Sequence, residues 1–173
     1  MKYLIASITT AFALSLSAQA ADVSVKLTGV HLCCQSCVKG VVKAVEKVPG
    51  VTVTVEMDEG AVSLTGPDAA SVQKAADAIV QAGYFGMSSN PDIKLQSNTG
   101  AKGGKVQSLK VEDVHLCCGK CVKAVNIALE SVAGVKANTA AKGAKSFEVT
   151  GDFNDQEVFA ALQKAGLTGH AGK

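Results

Sequence analysis

From residue 22 onward the chain alternates apolar and polar positions, shifts to helical spacing, alternates again, and then runs the whole cycle a second time. Val23, Val25 and Leu27 alternate with polar neighbours, the pattern of a half-buried strand. Val38, Val41, Val45 and Val48 then recur three or four apart, which predicts a helix closed by Pro49-Gly50. Val51, Val53, Val55 and Met57 alternate, Glu59-Gly60 turns, and Val62 to Leu64 returns as a second strand of a hairpin. Asp68 is placed to cap a helix carrying Val72, Ala75, Ile79 and Ala82, and a short strand is predicted within Tyr84 to Ser88.

The second cycle uses the same devices with weaker lettering. Leu109 and Val111 stand for Val25 and Leu27, while Val122, Val125, Leu129 and Val132 form the helical stripe that Gly134 ends. Val135, Ala137 and Thr139, then Phe147 and Val149, predict the hairpin. Asn154 caps a helix with Val158, Leu162 and Ala165, and Leu167 to His170 closes the cycle. The duplication is plainest at Val30-His31-Leu32-Cys33-Cys34-Gln35-Ser36-Cys37-Val38-Lys39, which returns, changed only at the fifth and fourth residues from its end, as Val114-His115-Leu116-Cys117-Cys118-Gly119-Lys120-Cys121-Val122-Lys123. Both copies end in Ala-Gly, at Ala82-Gly83 and Ala165-Gly166. The order strand-helix-strand-strand-helix-strand, twice, predicts an α+β protein of two ferredoxin-like βαββαβ open-faced sandwiches in tandem. The boundaries fall at 21–90 and 106–173. Residues 91–105 between them, with Asn-Thr-Gly-Ala-Lys-Gly-Gly-Lys, read as a flexible linker reaching roughly 20 Å.

The first 20 residues are of another kind. Lys2, the apolar run Leu4 to Leu16 and Ala18-Gln19-Ala20 have the form of a signal peptide cleaved after Ala20, so a periplasmic or secreted location is expected. The run is too short to span a bilayer, which takes about 20 apolar residues as helix, and no later run is longer, so no membrane span is expected after cleavage. The formal net charge is only +2, with no Arg, no Trp and 4% aromatics, which argues against nucleic acid as a partner and against a stacking surface for bases.

The six cysteines carry the chemistry. They fall in two tight triplets, Cys33, Cys34, Cys37 and Cys117, Cys118, Cys121, rather than spread out to staple loops. Cys34 and Cys118 leave a strand, and Cys37 and Cys121 enter the first turn of a helix. Cys-x-x-Cys spacing lets two sulfurs converge, and the N–H groups at a helix start stabilise the thiolate that binds metal. Thiolates select Cu(I), Zn(II) and similar soft or borderline ions over Mg or Ca. Cys33 and Cys117 add a third sulfur to each loop, and His31 and His115 are candidates for a fourth ligand in a Cys3His set. A disulfide plus a spare thiol in each triplet is the competing reading in an oxidising compartment.

Element order and loop together resemble the heavy-metal-associated domain family, twice, over about Asp22 to Asn90 and Lys105 to Lys173. The nearest likeness is to the periplasmic mercury-binding proteins of bacterial mercury resistance, which share the signal peptide, the Cys-x-x-Cys loop and an Ala-Gly-Tyr near the domain end, here Ala82-Gly83-Tyr84. Copper chaperones and the N-terminal domains of metal-pumping ATPases share the fold. The resemblance implies metal ligation by Cys34 and Cys37 and by Cys118 and Cys121. Leu32 and Leu116 stand where the family usually has Met, His31 and His115 where it has Gly, and Cys33 and Cys117 at its variable position.

The expected protein is not an enzyme. It captures, buffers or relays a thiophilic ion, Cu(I), Zn(II), Hg(II) or Cd(II), and passes it to a membrane metal transporter or another metal-binding domain. The alternative is a thiol–disulfide oxidoreductase using the same Cys-x-x-Cys pairs. His170 is read as a bystander, and Met87 as a core residue.

Overall fold

The computed structural model describes residues 22–172. The signal-peptide reading of residues 1–20 therefore lies outside the described residues. Strands β1 (Val23–Thr28), β2 (Thr52–Glu56), β3 (Ala61–Gly66) and β4 (Met87–Ser88) form one antiparallel sheet in the order β2-β3-β1-β4. Helices α1 (Gln35–Val45) and α2 (Ala69–Gln81) complete the first repeat. The second repeat builds β5 (Lys105–Glu112), α3 (Gly119–Glu130), β6 (Val135–Asn138), β7 (Ser146–Asn154), α4 (Asp155–Lys164) and β8 (His170–Ala171), with its sheet in the matching order β6-β7-β5-β8. This is the α+β, ferredoxin-like arrangement, twice. No helix among the described residues is long and apolar enough to cross a membrane.

The caps fall where the side chains dictate. Asp68 accepts from the Ser71 N–H at 2.7 Å and Asn154 from the Gln156 N–H at 2.9 Å, each satisfying a free donor of the first turn. Helix α1 stops at Val45, short of Pro49-Gly50, because a proline lacks the N–H for the next helical bond and its ring crowds the carbonyl four residues back, which is Val45. The predicted stripe holds at Val41, Val45, Val125 and Leu129, while Val38 and Val122 are only half-buried and the cysteine before each takes the inward place. Cys37, Val41, Ala44 and Val45 face inward on α1, and Cys121, Val125, Ala128 and Leu129 on α3. Each repeat thus seats one cysteine among its core residues.

Two readings need revision. Met87 is not core: it is 70% exposed, because β4 is a two-residue edge strand with nothing packed on that face. The segment read as a flexible linker is tied down along its length. Ile93 is buried, Lys94 and Gln73 exchange hydrogen bonds at 2.9 and 2.8 Å, and the Ala171 N–H bonds the Thr99 carbonyl at 2.7 Å. The N–H groups of Lys102, Gly103 and Gly104 converge on the Asp155 carboxylate at 2.8–3.1 Å, and β5 begins at once at Lys105. Glycine-rich composition reports chain entropy; one buried Ile and one buried carboxylate supply partners that composition does not display.

Candidate metal centre

The two repeats meet through their repeated Ala-Gly ends. Gly83 and Gly166 have φ of +87° and +77°, a left-handed conformation that a side chain resists. A Cβ on Gly83 would overlap the Asp113 carbonyl and the His115 N–H, and one on Gly166 would overlap the Gly29 carbonyl and the His31 N–H. The contact is reciprocal: the Gly166 carbonyl accepts from His31 and Phe85 at 3.2 and 3.1 Å, the Gly83 carbonyl accepts from Thr168 at 3.0 Å, and Tyr84 pairs with Leu167. The end of each repeat thereby holds the cysteine loop of the other, and the two loops face one another.

Within a loop the local fold is the same twice. Cys34 and Cys118 occupy the N-cap position in extended conformation, and their carbonyls receive the first helical bonds, from Cys37 and Val38 and from Cys121 and Val122. Leu32 and Leu116 are buried beneath the loops, as apolar bulk at those places requires. Cys37 and Cys121 are fully buried, and the remaining four cysteines are half-buried.

Six sulfurs gather between the loops. Inside the repeats, Cys33–Cys37 and Cys34–Cys37 are 3.6 and 3.8 Å apart, and Cys117–Cys121 and Cys118–Cys121 are 3.7 and 3.9 Å. Across the repeats the spacing is tighter: Cys33–Cys118 3.4 Å, and Cys33–Cys121, Cys34–Cys117 and Cys37–Cys117 3.5 Å. Three sulfurs held about 2.3 Å from one ion would stand about 4 Å apart, so the group needs little adjustment to close on a metal. All six thiols are free.

The electrostatics suit a cation. Cys37 is held far below the ordinary thiol range, first by donation from the Cys121 S–H, which outweighs burial, then by His115, Cys117 and Cys33. Charge on Cys37 pushes Cys121 up, through that same bond and then through burial. Burial leads in raising Cys33, to about 12, and Cys117. Cys118 is lowered to about 6, chiefly by the backbone N–H of Cys121. Thiolates at Cys37 and Cys118 are thus favoured by donors from neighbouring S–H and backbone N–H groups, and further ionisation crowds like charges unless a positive ion joins them.

The histidines sit at the rim. His31 groups with Cys33 and, from the other repeat, Cys121. His115 crosses the other way: its ring stacks on Tyr84, centroids 4.6 Å apart, beside Gly40 of α1. Nε2 of each is buried without a hydrogen-bond partner, an arrangement that costs free energy unless something else supplies the partner. Burial lowers the pKa of His31, favouring the neutral ring that ligates metals. Tyr84, noted in the sequence only as part of Ala-Gly-Tyr, lies wholly buried under the first loop, where its hydroxyl donates to the Cys37 carbonyl at 3.0 Å. His170 is apart from the sulfurs, 3.6 Å from Glu112 and from Asp113.

Residues 25–85 match the model of the heavy-metal-associated domain. No curated protein matches the chain. Solved structures that match include two tandem-domain chains. The N-terminal soluble domains of Bacillus subtilis CopA are 13% identical with a TM-score of 0.32, over 88% of this chain and 95% of that one. The first two RRM domains of the yeast poly(U)-binding protein Pub1 are 10% identical with a TM-score of 0.28, over 86% and 97%. Neither likeness is close enough to carry an argument.

Proposed function

Because the first repeat, residues 25–85, belongs to the heavy-metal-associated domain family, we propose that this protein is an exported metal-binding protein that captures a thiophilic ion between its two cysteine loops. The observation that carries the reading is the convergence of six free thiols, from both repeats, within 3.4–3.9 Å of their neighbours. Sulfur donors in this number select Cu(I), Zn(II), Hg(II) or Cd(II) and reject hard cations. Each thiol that bonds the ion gives its proton to solvent, so capture strengthens as pH rises.

Release runs by exchange. An incoming thiolate from a membrane metal transporter or another metal-binding domain joins the ion before one of Cys33 or Cys117 leaves, with no covalent bond made or broken in the protein. The half-exposed cysteines are the ones such a partner reaches first. The test is a titration of the reduced protein with each of the four ions against a competing chelator. Tight binding that Cys34→Ser and Cys118→Ser weaken supports the reading. Failure of every ion to bind, together with a readily cycled disulfide, overturns it in favour of the oxidoreductase. Cell fractionation with N-terminal sequencing tests export, which requires a mature chain lacking residues 1–20.

A further inference from the structure

We infer that the six thiols form one polynuclear, thiolate-bridged site that fills as a unit, not two mononuclear sites, one per repeat. The inference rests on the reading of the cluster as a soft-metal trap and specifies how many ions it takes and how they are joined.

Four sets of three donors have all their ligand atoms within 4.8 Å of one another: His31, Cys33, Cys121; Cys33, Cys34, Cys118; Cys34, Cys37, Cys117; and Cys117, Cys118, Cys121. They overlap. Cys33, Cys34, Cys117, Cys118 and Cys121 each belong to two sets, and a sulfur shared by two sets is placed to bridge two ions. Three of the four sets draw on both repeats. The first repeat's own Cys33, Cys34 and Cys37 also lie within 4.8 Å of one another, so each triplet is a compact donor group that the cross-repeat sets join to the other. Sulfur spacings agree, since the cross-repeat distances of 3.4–3.5 Å are shorter than any inside a triplet.

Coordination and charge point to the same class of ion. A single ion can engage at most four of these donors in a tetrahedron, leaving other buried sulfurs unused. Cu(I) accepts three thiolates and tolerates bridging. Several monovalent ions, up to one for each of the four sets, offset the charge of six thiolates stepwise as their protons leave. His31 supplies a ring nitrogen to the one set that is not all sulfur.

The experiment is native mass spectrometry of the reduced, intact chain titrated with Cu(I), alongside X-ray absorption of the loaded protein. The expected result is metal-free protein and a species with three or four Cu(I), little populated between, and a short copper–copper scattering path. Cys117→Ser then lowers the count by more than one ion, because that sulfur serves two sets. A ladder of one and then two ions without copper–copper scattering overturns the inference and leaves the metal-capture reading standing. Absence of Cu(I) binding overturns the inference, and the metal-capture reading falls with it only if Zn(II), Hg(II) and Cd(II) also fail to bind.

Discussion

The two repeats carry ten-residue loops that differ only in Gln35-Ser36 against Gly119-Lys120, yet they are not equivalent halves of a site. In the first, Tyr84 is buried beneath the loop, bonds the Cys37 carbonyl and offers its ring to His115. In the second, Leu167 fills the corresponding place, so no hydroxyl supports the Cys121 loop and no ring faces His31. Each repeat gathers its own three sulfurs within 4.8 Å, so the repeats differ in what supports the loop and not in the sulfurs they offer. Descent from a common unit explains why both loops hold the same ligands. It is the packing of one repeat on the other that brings the two triplets together, with sulfurs across the seam closer than the Cys-x-x-Cys pairs within either loop.

That asymmetry is open to direct attack, and the largest effect is expected from the sulfurs placed in two donor sets each. Cys34→Ser combined with Cys118→Ser should lower soft-metal affinity by on the order of 100-fold or more, measured by chelator competition. A loss under threefold would mean these positions do not ligate. Next comes the seam between repeats. Gly166→Ala puts a Cβ into the Gly29 carbonyl and the His31 N–H, and adds about 1–2 kcal/mol of left-handed strain. Gly143→Ala, also left-handed but with open space around it, carries the strain alone. Oxidative cross-linking of Cys33 to Cys118 should slow in the first variant and not in the second. Equal cross-linking would remove the seam as the device that presents the loops to each other.

A smaller effect separates the two loops themselves. Tyr84→Phe deletes one buried hydrogen bond and should cost about 1 kcal/mol in denaturant unfolding of the metal-free protein. Leu167→Phe, at the matching position of the second repeat, has no such bond to lose. The smallest effect is at the strap. Burial tends to raise the Asp155 pKa, but the N–H groups of Lys102, Gly103, Gly104 and Gln156 outweigh it and hold the carboxyl below its ordinary value. A lowered folded pKa contributes stability that is present above the ordinary carboxylate range and lost as pH falls through the folded value. Asp155→Asn should therefore flatten that part of the acid limb of an unfolding profile. An unchanged limb would mean the carboxylate does not anchor the strap.

Much of this architecture was legible before any coordinates. Alternation at Val23–Leu27, the caps Asp68 and Asn154, and the repeated loop each state a local preference that the fold obeys. The second copy has one residue more between Gly134 and Thr150 than the first has between Gly50 and Thr65, and it is absorbed as a register shift between Val135 and Ala137 where β6 meets β7, which leaves the sheet order intact. What stayed hidden depended on partners far away in sequence. Nothing local to Asp155 announces three backbone donors some 50 residues upstream, and nothing local to Gly83 announces the His115 backbone. The recurrence of Ala-Gly at both ends was the available signal for the seam. Its meaning, a backbone approached too closely for a Cβ, emerges only once two repeats are packed together.

The central claim, a soft-metal site shared by both repeats, is tested most directly by Cu(I) competition titration of the intact reduced chain beside one carrying Cys117→Ser, Cys118→Ser and Cys121→Ser. The shared site predicts that the first repeat's three remaining thiols bind more than tenfold more weakly than the intact protein. Half the ions bound at undiminished affinity would show two independent sites and contradict the account.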